Sequence, residues 1–318
     1  MNPYIEDGNK RILTGKYMQN TLKTSASLTG VGLHSGKDIH LSLIPAEENA
    51  GIVFVRTDIT DKDNIVPARW DHVVDTQLCT VIGNKDGVTI GTIEHLMSAL
   101  RGLNIDNVRI ELDGAEVPVM DGSAQPFVKL IQEVGVEQQS APRKMIRILK
   151  DVTVEKDGKR VTISPSDVAV FGGEIDFDHP EIGRQHYETQ LLNGNFVHDI
   201  ANCRTFGFLH EVEWMRSQGL ALGGSLDNAI VLDKESVMNP DGLRRDDEFI
   251  RHKLLDAIGD LYLAGMPIMG AYDSSRAGHE MNNLILHALF ADETAYEVVE
   301  QLDMPLPVNH GYQDGINA

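Results

Sequence analysis

The sequence predicts an α+β fold, and three observations carry that prediction. Each half of the chain opens with short β-like runs, helix-like blocks follow them, and a polar, proline-bearing segment, EQQSAPRK (137–144), separates the halves. At 318 residues, with 42% hydrophobic and 24% charged residues, composition is that of a globular protein. A chain of this length buries about 75% of its unfolded surface, so a core forms without staples. The two cysteines, Cys79 and Cys203, are too few for a disulfide framework and lack the paired spacing of a thiolate metal site. Lys and Arg number 28 against 48 Asp and Glu, a net charge of −20, which opposes attraction to nucleic acid or anionic lipid. No run approaches the ~20 apolar residues of a membrane helix. The first residues, MNPYIEDGNK, lack the basic and apolar regions of a signal peptide, so a cytoplasmic protein is expected.

Residues 1–20 are polar and aperiodic and read as a flexible N-terminal extension. The first domain is expected over 21–138. Its strands are HLSLI (40–44), GIVFV (51–55) and NVRIEL (107–112), and its main helix is GTIEHLMSALRGL, with Thr92 as N-cap, Ile93, Leu96, Leu100 and Leu103 as the apolar stripe and Gly102 at the end. A second helix is expected over Ala124–Glu133. The second domain, 145–318, opens with strands in MIRILKDVTVEK and RVTISP around a Lys156-Asp157-Gly158-Lys159 turn. Its clearest helix runs from Asp246 to Ala264, with Ile250, Leu254, Ala257, Ile258 and Leu261 as the buried stripe and Gly265 and Pro267 as the stop.

That helix places His252, Asp256 and Asp260 at i, i+4 and i+8, on the face opposite the stripe. An imidazole and a carboxylate one turn apart can share a divalent cation, although a bare H-x-x-x-D is more often a solvated ion pair. Glu94-His95 is a second candidate, because small residues at Ser98, Ala99 and Gly102 allow another element to approach closely. A catalytic zinc site needs three ligands and a nearby base, which His95, His252, Asp256 and Glu94 would supply. His279 falls in a loop, SSRAGHEMNN, where it is either functional or merely exposed. VGLHSG (31–36), MDGSAQPF (120–127) and ANCRTFGF (201–208) are explained equally well as turns.

Together, GVGLHSG, DTQLCT, TIEHL, NIDNV, MDGSAQPF, DFDHP, CRTFGF, GLALGGSLDNAIV, RHKLLDAIGD and the His279 segment resemble one family over roughly residues 21–300. It is the LpxC family, the zinc-dependent UDP-3-O-acyl-N-acetylglucosamine deacetylases of lipid A synthesis. The resemblance implies two similar β-α sandwich domains, sheet packed on helices, with the active site between them. It also implies a metal-dependent amide hydrolase, monomeric and without nucleic-acid partners, that holds Zn²⁺, with Fe²⁺ an alternative for a His₂Asp set.

Position by position, the resemblance makes His95, His252 and Asp256 the metal ligands and Glu94 the base. Thr205 would assist the oxyanion, His279 the leaving amine, and Asp260 would orient His279 and keep it cationic. Lys253, Phe206, Arg276 and Lys159 would contact the substrate. The segment 207–233, with Leu220 and Leu222, would hold the acyl chain. The alternatives are a non-catalytic binding protein on the same fold and an amidase for a small amide, which has no use for an acyl passage.

Overall fold

A computed structural model describes residues 17–192 and 194–300, and the backbone of 4–7 and 10–13. The C-terminal tail beyond residue 300, to which no function is assigned, lies outside the described residues.

Two five-stranded sheets form the framework. In the first, the spatial order is Ala26–Val31, Asp38–Pro45, Val108–Leu112, Ile52–Arg56 and Ile65–Pro67; only Val108–Leu112 and Ile52–Arg56 run parallel. In the second, it is Val152–Lys156, Lys159–Ser164, Ala271–Ser275, Val170–Asp176 and Arg184–Gln190, and again the central pair alone is parallel. The two sheets therefore share one topology: two hairpins, with a later strand inserted between them. Helices α1 (Glu94–Gly102) and α2 (Gln125–Val134) flank that inserted strand in the first half, and α4 (Glu248–Tyr262) and α5 (His279–Phe290) flank it in the second. The shorter α3 (Leu209–Ser217) stands apart, without a fully buried residue.

The Lys156–Lys159 turn forms as its sequence requires. Asp157 and Gly158 have φ of 51° and 72°, the left-handed pair that closes a two-residue hairpin with the strands' own twist. Other expectations fail locally. The supposed linker is an edge strand, Val136–Pro142, paired antiparallel with Met18–Leu22, so the extension gives way to sheet before residue 20. Polar side chains suit it because most of them stay at the surface. Tyr4–Asp7 and Lys10–Leu13 pair as a hairpin. Thr92 does not cap α1; it has φ of 56° and Ile93 stands at the N-cap position.

One apolar cluster runs through both halves. It includes Phe54, Leu96 and Phe127 from the first and Ile163, Leu254 and Leu286 from the second. At its centre α1 crosses α4, and Gly259 makes the crossing possible, since a Cβ there would run into the Glu94 carbonyl oxygen. Both helices are consequently buried on nearly every side. The His252 face of α4 is buried, with His95 of α1 against Asp256, which removes the solvated ion pair as an alternative.

Candidate active site

The α1–α4 crossing brings together side chains that are distant in sequence. Three of them, His95, His252 and Asp256, present ligand atoms within 4.8 Å of one another. Two of them are held by neighbouring groups. Glu248, with no exposed surface, accepts hydrogen bonds from Arg204 N–H and Nε at 2.9 Å and so pins residues 203–205 against α4. The Cys203 carbonyl then accepts from His252 Nδ1 at 3.1 Å. A carbonyl only accepts, so Nδ1 carries the hydrogen and Nε2 keeps its lone pair. That lone pair faces Asp256 Oδ1 at 3.3 Å, and His95 Nε2 lies 3.6 Å from the same oxygen. Lys253 Nζ donates to the other carboxylate oxygen, Oδ2, at 2.8 Å.

Charge states follow from burial and neighbours. Burial pushes His252 down to about 4, so it is neutral at pH 7. Asp256 is held well below the carboxylate range, because His252 and Lys253 outweigh the cost of its burial. Asp256 Oδ1 and His95 Nδ1 are buried without a hydrogen-bond partner. Two imidazoles and one ionised carboxylate form a donor set that fits a divalent cation, and a ligating histidine commonly gives its other N–H to a carbonyl, as His252 does.

Beside this triangle stand Glu94 and His279. Burial raises the Glu94 carboxyl, against the pull of His279 and His95. His279 is also buried, which alone would lower it, but Asp260 and Glu94 reverse the balance and push it up to about 9. Its Nδ1 donates to Asp260 Oδ2 at 2.9 Å, and its Nε2 lies 3.8 Å from Glu94 Oε1. Instead of a loop position, His279 is the first residue of α5, so the helix frame fixes its direction.

Two spaces of opposite character adjoin the centre. One, of about 250 Å³, is lined mostly by apolar groups, among them Phe206, Leu209, Val212, Met215 and Val231, with Thr205 at its edge. Phe206 joins it to the centre, its ring 6.3 Å from that of His252. Thr205 is held by its N–H to the Gly122 carbonyl at 2.8 Å, which docks the MDGS turn of the first half onto the second. The other space, about 610 Å³, is polar and lined by Lys159, Lys253 and His279 with Asp75 and Gln77.

Three expected contacts are not brought in. Arg276 is exposed, has φ of 55° and lies outside the lining of both spaces. Leu222 is 54% exposed and rests over Gly36. Leu220 lines a third cleft, with His34, Cys79 and Glu116. The chain reverses at Gly219 and Ala221, with φ of 77° and 52°, and this turns both leucines away from the apolar space. Sequence reading missed Thr80 and Asn282, whose side chains both bond Asp260, and Glu248. Thr80 lies within DTQLCT and Asn282 follows His279 by three residues, but an amide and a hydroxyl carry no spacing signature.

Comparison with known proteins identifies the family. The profile of the LpxC family, described as UDP-3-O-acyl N-acetylglycosamine deacetylase, matches residues 19–291. The chain belongs to the LpxC family. A UDP-3-O-acyl-N-acetylglucosamine deacetylase of Nitratiruptor sp. is 50% identical over 282 residues, covering 89% of this chain and 93% of the relative. Proteins of the same name from Shewanella violacea and Shewanella woodyi are 47% and 48% identical, each covering 93% of this chain and 98% of the relative. The family match spans every element of the candidate centre. Among the described residues, no helix of this LpxC-family chain is long and apolar enough to cross a membrane.

Proposed function

We propose that the protein is a zinc-dependent deacetylase that hydrolyses the N-acetyl group of UDP-3-O-acyl-N-acetylglucosamine, releasing UDP-3-O-acyl-glucosamine and acetate. This is the committed step of lipid A synthesis, and we place the enzyme in the cytoplasm as a monomer. One observation carries the reading: the donor triangle, with Glu94 and His279 beside it, lies between an apolar space and a lysine-lined cleft. A substrate with an acyl chain at one end, a diphosphate at the other and an acetamide between them matches that sequence of environments.

His95, His252 and Asp256 would hold the ion; Zn²⁺ suits the set and Fe²⁺ is also compatible. When bound, such an ion lowers the pKa of a coordinated water and polarises a carbonyl. The protein's own groups account for the protons. Glu94 takes one from water as the C–O bond forms, and His279 gives one to the nitrogen as the C–N bond breaks, so amide and water become amine and acetate. Asp260 keeps His279 oriented and cationic. Thr205 stands at the edge where the oxyanion develops, while Lys253 and Lys159 face the diphosphate and Phe206 packs on the substrate. Arg276, exposed and outside both linings, is given no contact in this reading.

The test is acetate release from UDP-3-O-acyl-N-acetylglucosamine by purified protein of measured metal content. Stoichiometric acetate and free amine are expected. Absence of acetate from metal-replete protein overturns the reading, and equal rates with and without the 3-O-acyl chain would favour a small-amide hydrolase instead.

A further inference from the structure

Thr80 touches both carboxylates on which the proposed proton transfers depend. Its backbone N–H donates to Glu94 Oε2 at 3.1 Å, and its hydroxyl donates to Asp260 Oδ1 at 2.6 Å. Glu94 belongs to α1 and Asp260 to α4, so one residue spans the junction of the two halves. Thr80 is 2% exposed, which leaves water no room to substitute for it. The remaining bonds of Asp260 complete the frame. Its Oδ2 accepts from His279 Nδ1 and from Asn282 Nδ2, both at 2.9 Å, and Asn282 Oδ1 accepts from the Tyr272 hydroxyl at 2.7 Å.

We propose that Thr80 is a positioning residue for the deacetylation, a hydrogen-bond bridge that fixes which oxygen each carboxylate turns toward His279. With Oε2 of Glu94 held by the Thr80 N–H, Oε1 is the oxygen presented to His279. With Oδ1 of Asp260 held by the Thr80 hydroxyl, Oδ2 is the oxygen presented to His279 Nδ1. Without the hydroxyl, Asp260 is held only at Oδ2, by His279 and Asn282, and its terminal torsion, which is broad and intrinsically weak, loses the bond that fixes Oδ1. The imidazole would then lose its fixed direction while the backbone bond to Glu94 remained. Groups that orient such ligands and catalytic side chains commonly contribute about 10- to 100-fold. The inference rests on the deacetylase reading for its kinetic consequence, and on the hydrogen bonds alone for its structural one.

The test compares Thr80→Val, nearly isosteric but without the hydroxyl, with Thr80→Ser, which restores it. In the metal-loaded enzyme, Thr80→Val is expected to lower kcat by roughly 10- to 100-fold with KM changed by less than about 3-fold, and Thr80→Ser to recover most of that loss. In an Asp260→Asn background the valine substitution should cost much less, because the two residues act as one unit. A spectroscopic arm is independent of activity: the low-field ¹H resonance of the His279 Nδ1–H should shift or broaden in Thr80→Val and return in Thr80→Ser. Wild-type kcat in Thr80→Val, equal impairment of the valine and serine variants, or an unmoved His279 resonance overturns the bridge. Inactivity of the wild type with the expected resonance shifts would overturn the deacetylase reading and leave the bridge standing.

Discussion

Asp256 Oδ1 faces two imidazole nitrogens without a hydrogen bond to either, a buried arrangement that the cation we propose there would compensate. Replacing His95, His252 or Asp256 by Ala should therefore remove most bound metal and most activity, as metal analysis would show; three variants with full metal content would refute the ligand set. Glu94→Ala should behave differently. It is expected to keep its metal and lose roughly 10²- to 10⁴-fold in turnover, the range for removal of a general base. For His279, raised to about 9, the cationic form that the proposed mechanism uses is present below that value and is lost as pH rises through it. Activity on kcat/KM should fall on that basic limb, and His279→Ala should move the limb as well as lower the rate. The sequence made these residues visible unevenly. The i, i+4 spacing of His252 and Asp256 supplied a direction, but burial by α1 is a tertiary fact that a helical wheel does not contain. Thr80 meets Asp260 across 180 positions through a hydroxyl, and the Cys203 carbonyl meets His252 through a backbone group that every residue carries.

At the scale of elements, the α1–α4 crossing depends on small residues, as the Ser98–Gly102 pattern suggested, although the decisive one, Gly259, lies on the other helix. Gly259→Ala would drive a methyl into the Glu94 carbonyl. Overpacking of this kind typically costs about 1 to 3 kcal/mol. The variant should melt at lower temperature and bind metal more weakly, since His95 follows Glu94 directly; wild-type melting and affinity would show that the helices separate freely. The apolar space is the other element-scale feature. Its lining includes α3, the strands Phe206–Phe208 and Ile230–Leu232 and the loop between them through Leu226, whereas Leu220 and Leu222 are absent from it. Val212→Trp, on α3, should therefore depress kcat/KM for long acyl chains and spare short ones. Each methylene that can no longer be buried is worth about 0.8 kcal/mol, nearly fourfold in rate. A uniform loss at every chain length would disconnect this space from the acyl group.

Across the whole molecule, α+β content and strand-first halves were legible in the pattern, whereas the repeated topology was implied only by the family resemblance. Pattern identifies strands and says nothing about which later segment inserts between two hairpins, and Val108–Leu112 and Ala271–Ser275 do so in the same way. The polar strand Val136–Pro142 was misread for a related reason: an edge strand can satisfy its backbone on one side and leave polar side chains in water, so it resembles a linker until its partner is known. The apolar cluster that crosses both halves has a thermodynamic consequence. If Leu96, Leu254 and Leu286 belong to one core, neither half can lose its packing without exposing the other's, and denaturant should produce a single cooperative transition rather than two. On the proposed ligand set, metal held by His95 from one half and by His252 and Asp256 from the other would add to that coupling. At a free metal concentration ~1,000 times the Kd, the native state gains about 4 kcal/mol. Chelation should accordingly lower the one transition without splitting it, observed together by tryptophan fluorescence and far-UV circular dichroism. Trp70 of the first half stacks on Phe290 of α5, with ring centroids 4.9 Å apart, so its fluorescence reports the packing between the halves, while circular dichroism follows the strands and helices of both. Two separate transitions by circular dichroism in the chelated protein, with Trp70 fluorescence changing in the first, would mean that the halves unfold independently and that the ion, rather than the shared core, joins them.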